Sequence, residues 1–168
     1  MKYRLLENDT INVEGRTLYR IEAVKDFCHV KNGEKGGYIE SKKNLSQDGD
    51  AWVYGNARVY ENALVYENAR VYDNAWVFGD SYVYGNALVC DNARVYDNAR
   101  VYDNACVHGN ARVCDDAWVG CDAWVHDNAW VHDNAWVYDE AHVCGEAHVC
   151  GKTHVCGKTH VCGKARVY

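Results

Sequence analysis

The sequence predicts an all-β fold in which the chain coils as a solenoid, and three observations predict it. From Ala51 onward a six-residue unit, Ala-x-Val-x-x-Asn, repeats as nineteen full copies to Lys164 and a partial copy, Ala165 to Tyr168. Its third position is valine in every copy, and its first is alanine except at Ser81, Thr153 and Thr159. Its last two positions mostly read Asp-Asn, Glu-Asn, Gly-Asn or Gly-Lys, types that tolerate left-handed backbone or hydrogen-bond their own main chain. Short extended runs joined by tight corners, with no helical period and no hairpin reversal, make neither a bundle nor a sandwich; they wind.

Composition agrees with a single ordinary domain: 168 residues, 48% hydrophobic, no proline, a formal charge of −6. An aromatic content of 12% is too high for a disordered acidic chain. No apolar run reaches eighteen residues, and the opening Met-Lys-Tyr-Arg breaks into charge before a signal-peptide core can form, so we expect a soluble cytoplasmic protein.

Residues 1–50 stand outside the repeat and are expected to form an N-terminal β cap with a degenerate first coil. Alternating stretches at Thr10–Val13 and Thr17–Val24 flank Glu14-Gly15-Arg16 as in a hairpin. Ile39 and Leu45, six apart, match core positions, with a two-residue slip before Val53. The segment carries nine basic and nine acidic residues; its Cys28-His29 pair has no recognisable partner.

Residues 51–168 are the repeat domain. In an extended segment residues two apart share a face, so positions one and three point inward, positions two and four outward, and positions five and six turn. The spacing Val-x-x-x-Ala-x resembles the hexapeptide repeat of left-handed parallel β-helix proteins over all of 51–168. That resemblance implies three hexapeptides to a triangular coil of eighteen residues, about six and a half coils, and a rise of about 4.8 Å per coil. The variant with tyrosine in position four and Asp-Asn or Gly-Asn at the corner also resembles repeats of bacterial and prophage proteins. Tyr168 falls within a unit, and an uncovered last coil is expected either to pair in a two-fold homodimer through His160, Cys162, Arg166, Val167 and Tyr168, or to fray into solvent.

Stacked coils turn surface composition into columns. Between Ala51 and Glu140 there are 14 acidic and 5 basic residues, whereas beyond it Glu146 faces Lys152, Lys158, Lys164 and Arg166. The corner acids include Asp73 and Asp91 on one edge, Asp97, Asp115, Asp116 and Asp133 on a second, and Asp103, Asp122 and Asp139 on the third. Such columns either imitate a phosphate line and occupy the basic groove of a protein that handles nucleic acid, or simply keep the rod solvated. Arg58, Arg70, Arg94, Arg100 and Arg112 dilute the mimicry, and direct nucleic-acid binding is not expected. Trp118, Trp124, Trp130 and Trp136 occupy position two in consecutive units, which reads either as a contact surface or as the product of repeat duplication.

Four units carry histidine in position two and cysteine in position four. Stacking places His142 beside His160 and Cys144 beside Cys162, a set of two imidazoles and two thiols suited to zinc, although parallel side chains converge poorly on one ion and duplication copies residues without use. With Cys90, Cys106, Cys114 and Cys121 on scattered positions, reduced thiols are expected.

The family resemblance also implies acyltransferases and metal-dependent carbonic anhydrases, whose sites use loops extruded from the coil. Here 114 residues pass without an inserted loop, and His108, His126 and His132 lack a placed acid or nucleophile. Ice binding is set aside because Thr153 and Thr159 occupy inward positions. The expected function is a non-enzymatic interaction protein, specifically a prophage-type inhibitor of a nucleic-acid-handling defence enzyme. The alternatives are a self-assembling scaffold and an acyltransferase.

Overall fold

The computed structural model describes residues 1–168 and contains strands and turns only; no helix is long and apolar enough to cross a membrane. It is an all-β parallel solenoid of about seven turns. Each repeat unit supplies one two-residue strand, from Trp52–Val53 to Arg166–Val167. Strands eighteen residues apart pair in parallel: Arg94 lies opposite Trp76 and Arg112, and Leu88 opposite Arg70 and Cys106. Three sheets of ten, seven and six strands result.

The core is a column of alanine and valine. Every third-position valine from Val53 to Val149 is at most 1% exposed, and the first-position alanines beside them are sealed. Polar residues in that column satisfy themselves locally: Ser81 Oγ donates to Phe78 O at 2.8 Å, and Thr153 and Thr159 each donate to the carbonyl three residues back at 2.7 Å. Burying a valine contributes about 1.5–3 kcal/mol, and ordering the backbone costs about 1–2 kcal/mol per residue, so stability has to be gathered over many coils. Towards the last coil the column opens, with Val161 at 8% and Ala165 and Val167 only half-buried.

The corners use left-handed backbone throughout. Every fifth-position residue from Gly55 to Gly163 has φ between 55° and 73°, including acidic residues and Cys121. The sixth-position amides form ladders along the edges, as in Asn68 to Asn86 to Asn104 to Asp122, with N–H···O distances of 3.0–3.1 Å.

At the N-terminal end, β1 (Tyr3–Val13) and β2 (Arg16–Ala23) form an antiparallel hairpin around Glu14 and Gly15, both at positive φ. β1 starts seven residues before the expected Thr10, with a register shift between Leu6 and Thr10. β2 pairs with β3 (Lys35–Ile39), which pairs in parallel with Arg58–Val59, so the hairpin extends the ten-stranded sheet. Ile39 lies opposite Val59 and Leu45 opposite Val65; both are fully buried. Lys2 is buried under this end, its Nζ donating to Gly49 O at 3.2 Å and Ala51 O at 2.9 Å, and burial lowers its pKa to about 8.

The expectation that positions two and four always face solvent needs correction. Trp52 and Tyr60 are fully buried. Trp52 packs edge-on against Tyr3 and Phe27 of the N-terminal segment, and Tyr60 joins Val13, Leu18 and Tyr38 in a small second core. Elsewhere position four is mostly half-buried, because its aromatic rings stack on one another: Tyr60, Phe78 and Tyr96 at 5.1 Å steps, Tyr54 on Tyr72 at 4.4 Å.

Candidate functional site

With no inserted loop, the candidate site is the surface itself, and the eighteen-residue register decides what it displays. The six-stranded sheet carries the column Tyr82, Arg100, Trp118, Trp136 and His154. Trp118 and Trp136 stack face to face at 4.8 Å, Arg100 lies over Trp118 at 4.6 Å, and His154 stacks on Trp136 at 5.4 Å. Trp136 is 37% exposed. The four tryptophans divide among three sheets: Trp124, 44% exposed, stacks with His142 on the seven-stranded sheet, and Trp130 lies between Arg112 and His148 on the ten-stranded one.

Most of the corner acids are bonded into the fold. The carboxylates of Asp91, Asp127, Asp133 and Asp139 each accept the N–H of the glycine eighteen residues on (Gly109, Gly145, Gly151 and Gly157) at 2.9–3.0 Å. Asp115 accepts the N–H of Asp133 at 3.1 Å, while Asp116 and Asp122 accept from Asn98 and Asn104. The Gly145 N–H, aided by His126, holds the Asp127 carboxyl below its ordinary range. Asp73, Asp97 and Asp103 occupy the same corner position at positive φ. The side chains of Asp91, Asp127 and Asp133 remain 50–57% exposed, so the acids serve the backbone and still present charge.

The proposed set of two histidines and two thiols is corrected. His142 and His160 do stack, 4.7 Å apart, but Cys144 and Cys162 are joined in a disulfide. Neither sulfur is a free thiolate, so the four side chains do not form a metal-binding set in this state. The expectation of uniformly reduced cysteines fails for this pair, while the other seven are free. Of the residues expected at a dimer interface, Tyr168 is 79% exposed, and His160, Cys162 and Arg166 are also exposed.

Two constellations escaped the sequence reading. His126, Asp127 and Cys144, and separately His132, Asp133 and Cys150, bring a nitrogen, a carboxylate oxygen and a sulfur within 4.8 Å of one another. Both repeat one spacing, His-Asp followed by cysteine eighteen residues after the histidine. That spacing was visible in the sequence, but across coils histidine was set beside histidine and cysteine beside cysteine, and the position-four histidines were not set against the cysteines one coil on.

This architecture defines a β-solenoid repeat protein. Residues 51–67 and 93–109 match the family model described as the YdcK β-solenoid repeat, the first segment starting at the first unit and the second lying in mid-rod. No curated protein matches the chain.

Proposed function

We propose that the protein is a non-enzymatic, rigid interaction scaffold that binds a partner protein through its aromatic columns and acidic edges. The observation that carries this reading is the Trp118–Trp136 stack, exposed at Trp136 and continued by Arg100 and His154 in one register. Aromatic groups held by neighbours in this way lose little freedom on docking, which is where binding usually pays its cost. The edge of Asp97, Asp115 and Asp133 supports the finer reading. Its three carboxylates sit one coil apart, about 4.8 Å, the same order as the 3.4 Å rise per phosphate in one DNA strand. A protein with a basic nucleic-acid groove is the partner whose chemistry fits, and the protein then acts as its inhibitor.

Self-assembly is the second reading, favoured by the outward tryptophans Trp124 and Trp136, 44% and 37% exposed. Salt separates the two, because contact between carboxylates and a basic groove weakens steeply with ionic strength and apolar contact does not. Co-purification from nuclease-treated bacterial lysate at low and high salt, with the protein's own mass in solution, is the test. A nucleic-acid enzyme recovered at low salt only, and lost in an Asp97→Asn/Asp115→Asn/Asp133→Asn variant, supports the inhibitor. A homo-oligomer unchanged by salt, with no partner, refutes it.

A further inference from the structure

We propose that His132, His148, Cys150 and Asp133 form a binding site for a zinc-like divalent ion on the ten-stranded face of the solenoid. Three of the donors come from one slot pattern: His132 and Cys150 occupy the fourth position in successive coils, and Asp133 is the corner residue after His132. Their donor atoms lie within 4.8 Å of one another. A tetrahedral zinc with bonds of about 2.0–2.3 Å places its donors roughly 3.5 Å apart, so closure requires a movement of roughly 1 Å, within the reach of rotamers on an open face.

The fourth donor is His148, the second-position residue of the coil that carries Cys150. His132 and His148 line one cavity of about 230 Å³ with Cys150, Trp130, Arg166 and Tyr168, and the two imidazole rings stand almost perpendicular, 6.1 Å between centroids. His148 lies beside the group of His132, Asp133 and Cys150 rather than within it, and its ring is not stacked flat on His132 as His142 is on His160, so a change of its rotamer turns a nitrogen towards the other three donors.

The surroundings fit a ligand set. Asp133 is held by the Gly151 N–H at 3.0 Å and lies 3.4 Å from His132 Nδ1, so the carboxylate is fixed and orients the ring. Cys150 is 4% exposed, a free thiol whose only polar contact is Val167 O at 3.4 Å. On binding, the thiol gives its proton to solvent, and thiolate plus carboxylate balance the charge of the ion. The mixture of sulfur, nitrogen and oxygen donors selects zinc or cobalt over calcium or magnesium, which want oxygen alone.

The molecule contains its own comparison. His126, Asp127 and Cys144 repeat the same spacing, but the Cys144 sulfur is bonded to Cys162. Of these two, only the His132 site has a thiol available.

The experiment is titration of the full chain, Cys144–Cys162 disulfide intact, with cobalt(II), read by the thiolate-to-cobalt charge-transfer band and the visible absorption of tetrahedral cobalt. One equivalent is expected to bind and to be displaced by zinc. Cys150→Ser abolishes the charge-transfer band, His132→Ala and His148→Ala each weaken cobalt binding at least tenfold, and Cys156→Ser changes nothing. Circular dichroism and urea unfolding establish that the variants fold; if Cys150→Ser does not, the two histidine variants decide. A band that survives in folded Cys150→Ser, cobalt affinity unchanged in both histidine variants, or no band at equimolar cobalt overturns the proposal.

Discussion

The Cys144–Cys162 disulfide joins equivalent positions of successive coils, so breaking it should loosen one end of the rod and leave the rest intact. The loop it closes is eighteen residues, one complete coil. On the chain-entropy model a loop of that length contributes about 3 kcal/mol, or about a hundredfold in a local opening equilibrium at about 1.4 kcal/mol per tenfold. Because each coil of a solenoid touches only its neighbours, that energy resists fraying of the final coil rather than being shared along the rod. The amides that report it are identifiable. His142, Cys144 and Glu146 donate to the carbonyls of Thr159, Val161 and Gly163, at 2.8, 2.9 and 2.7 Å, and are freed when the last coil peels away. Hydrogen exchange followed by mass spectrometry should show these amides exchanging up to about a hundredfold faster in Cys144→Ser/Cys162→Ser. Amides between Val83 and Val113 should be unchanged. Reductant should reproduce the effect in the wild type and do nothing to the variant. Equal protection at His142 to Glu146 in both proteins, or faster exchange along the whole rod, would refute the argument.

Val113→Ala removes two methyl groups from a sealed position, and the loss of transfer energy plus the cavity should cost about 2–3 kcal/mol in urea unfolding. Gly109 has φ +70°, and a Cβ there would sit 2.9 Å from the Asp127 backbone nitrogen; Gly109→Ala should lower stability by about 1–2 kcal/mol and Gly109→Asn by less, since asparagine tolerates left-handed backbone. Acid sensitivity should have two parts. The folded-state pKa of Asp127 lies below the usual 3.8, so its stabilisation is complete above the unfolded carboxylate range and disappears as pH falls through the folded value; Asp127→Asn should flatten the urea midpoint below about pH 4. Burial places the folded-state pKa of His142 below 6.5, so the unfolded chain binds the proton first and stability declines as pH drops below 6.5; His142→Gln should reduce that slope, measured by thermal unfolding from pH 7 to 5.

The inward column was legible because its chemistry is monotonous: alanine and valine two apart, every six residues, leave one consistent way to hide apolar surface. The corners were legible for a similar reason, since glycine, asparagine and aspartate mark left-handed backbone. Other features depend on contacts that a six-residue window does not contain. Trp52 and Tyr60 look like any second- and fourth-position aromatics, and their burial comes from the N-terminal segment packed over the first coils. The carboxylates of Asp91 and Asp133 read as surface charge, whereas their hydrogen bonds run to backbone eighteen residues away. Stacking of Cys144 on Cys162 followed from the spacing. Their oxidation did not, because it was argued from compartment rather than from proximity.

The three-sheet register also bears on how such a chain changes length. Insertion or loss of eighteen residues keeps each downstream side chain on its original sheet. Insertion or loss of one unit is equally harmless to the alanine and valine column, yet it rotates everything downstream by a third of a turn. A unit deleted between Arg100 and Trp118 would separate that cation from its ring and deal the tryptophans and histidines beyond it onto different faces. Chains built on this repeat can therefore exchange whole surface patterns by the smallest possible copying error, with the interior unaffected.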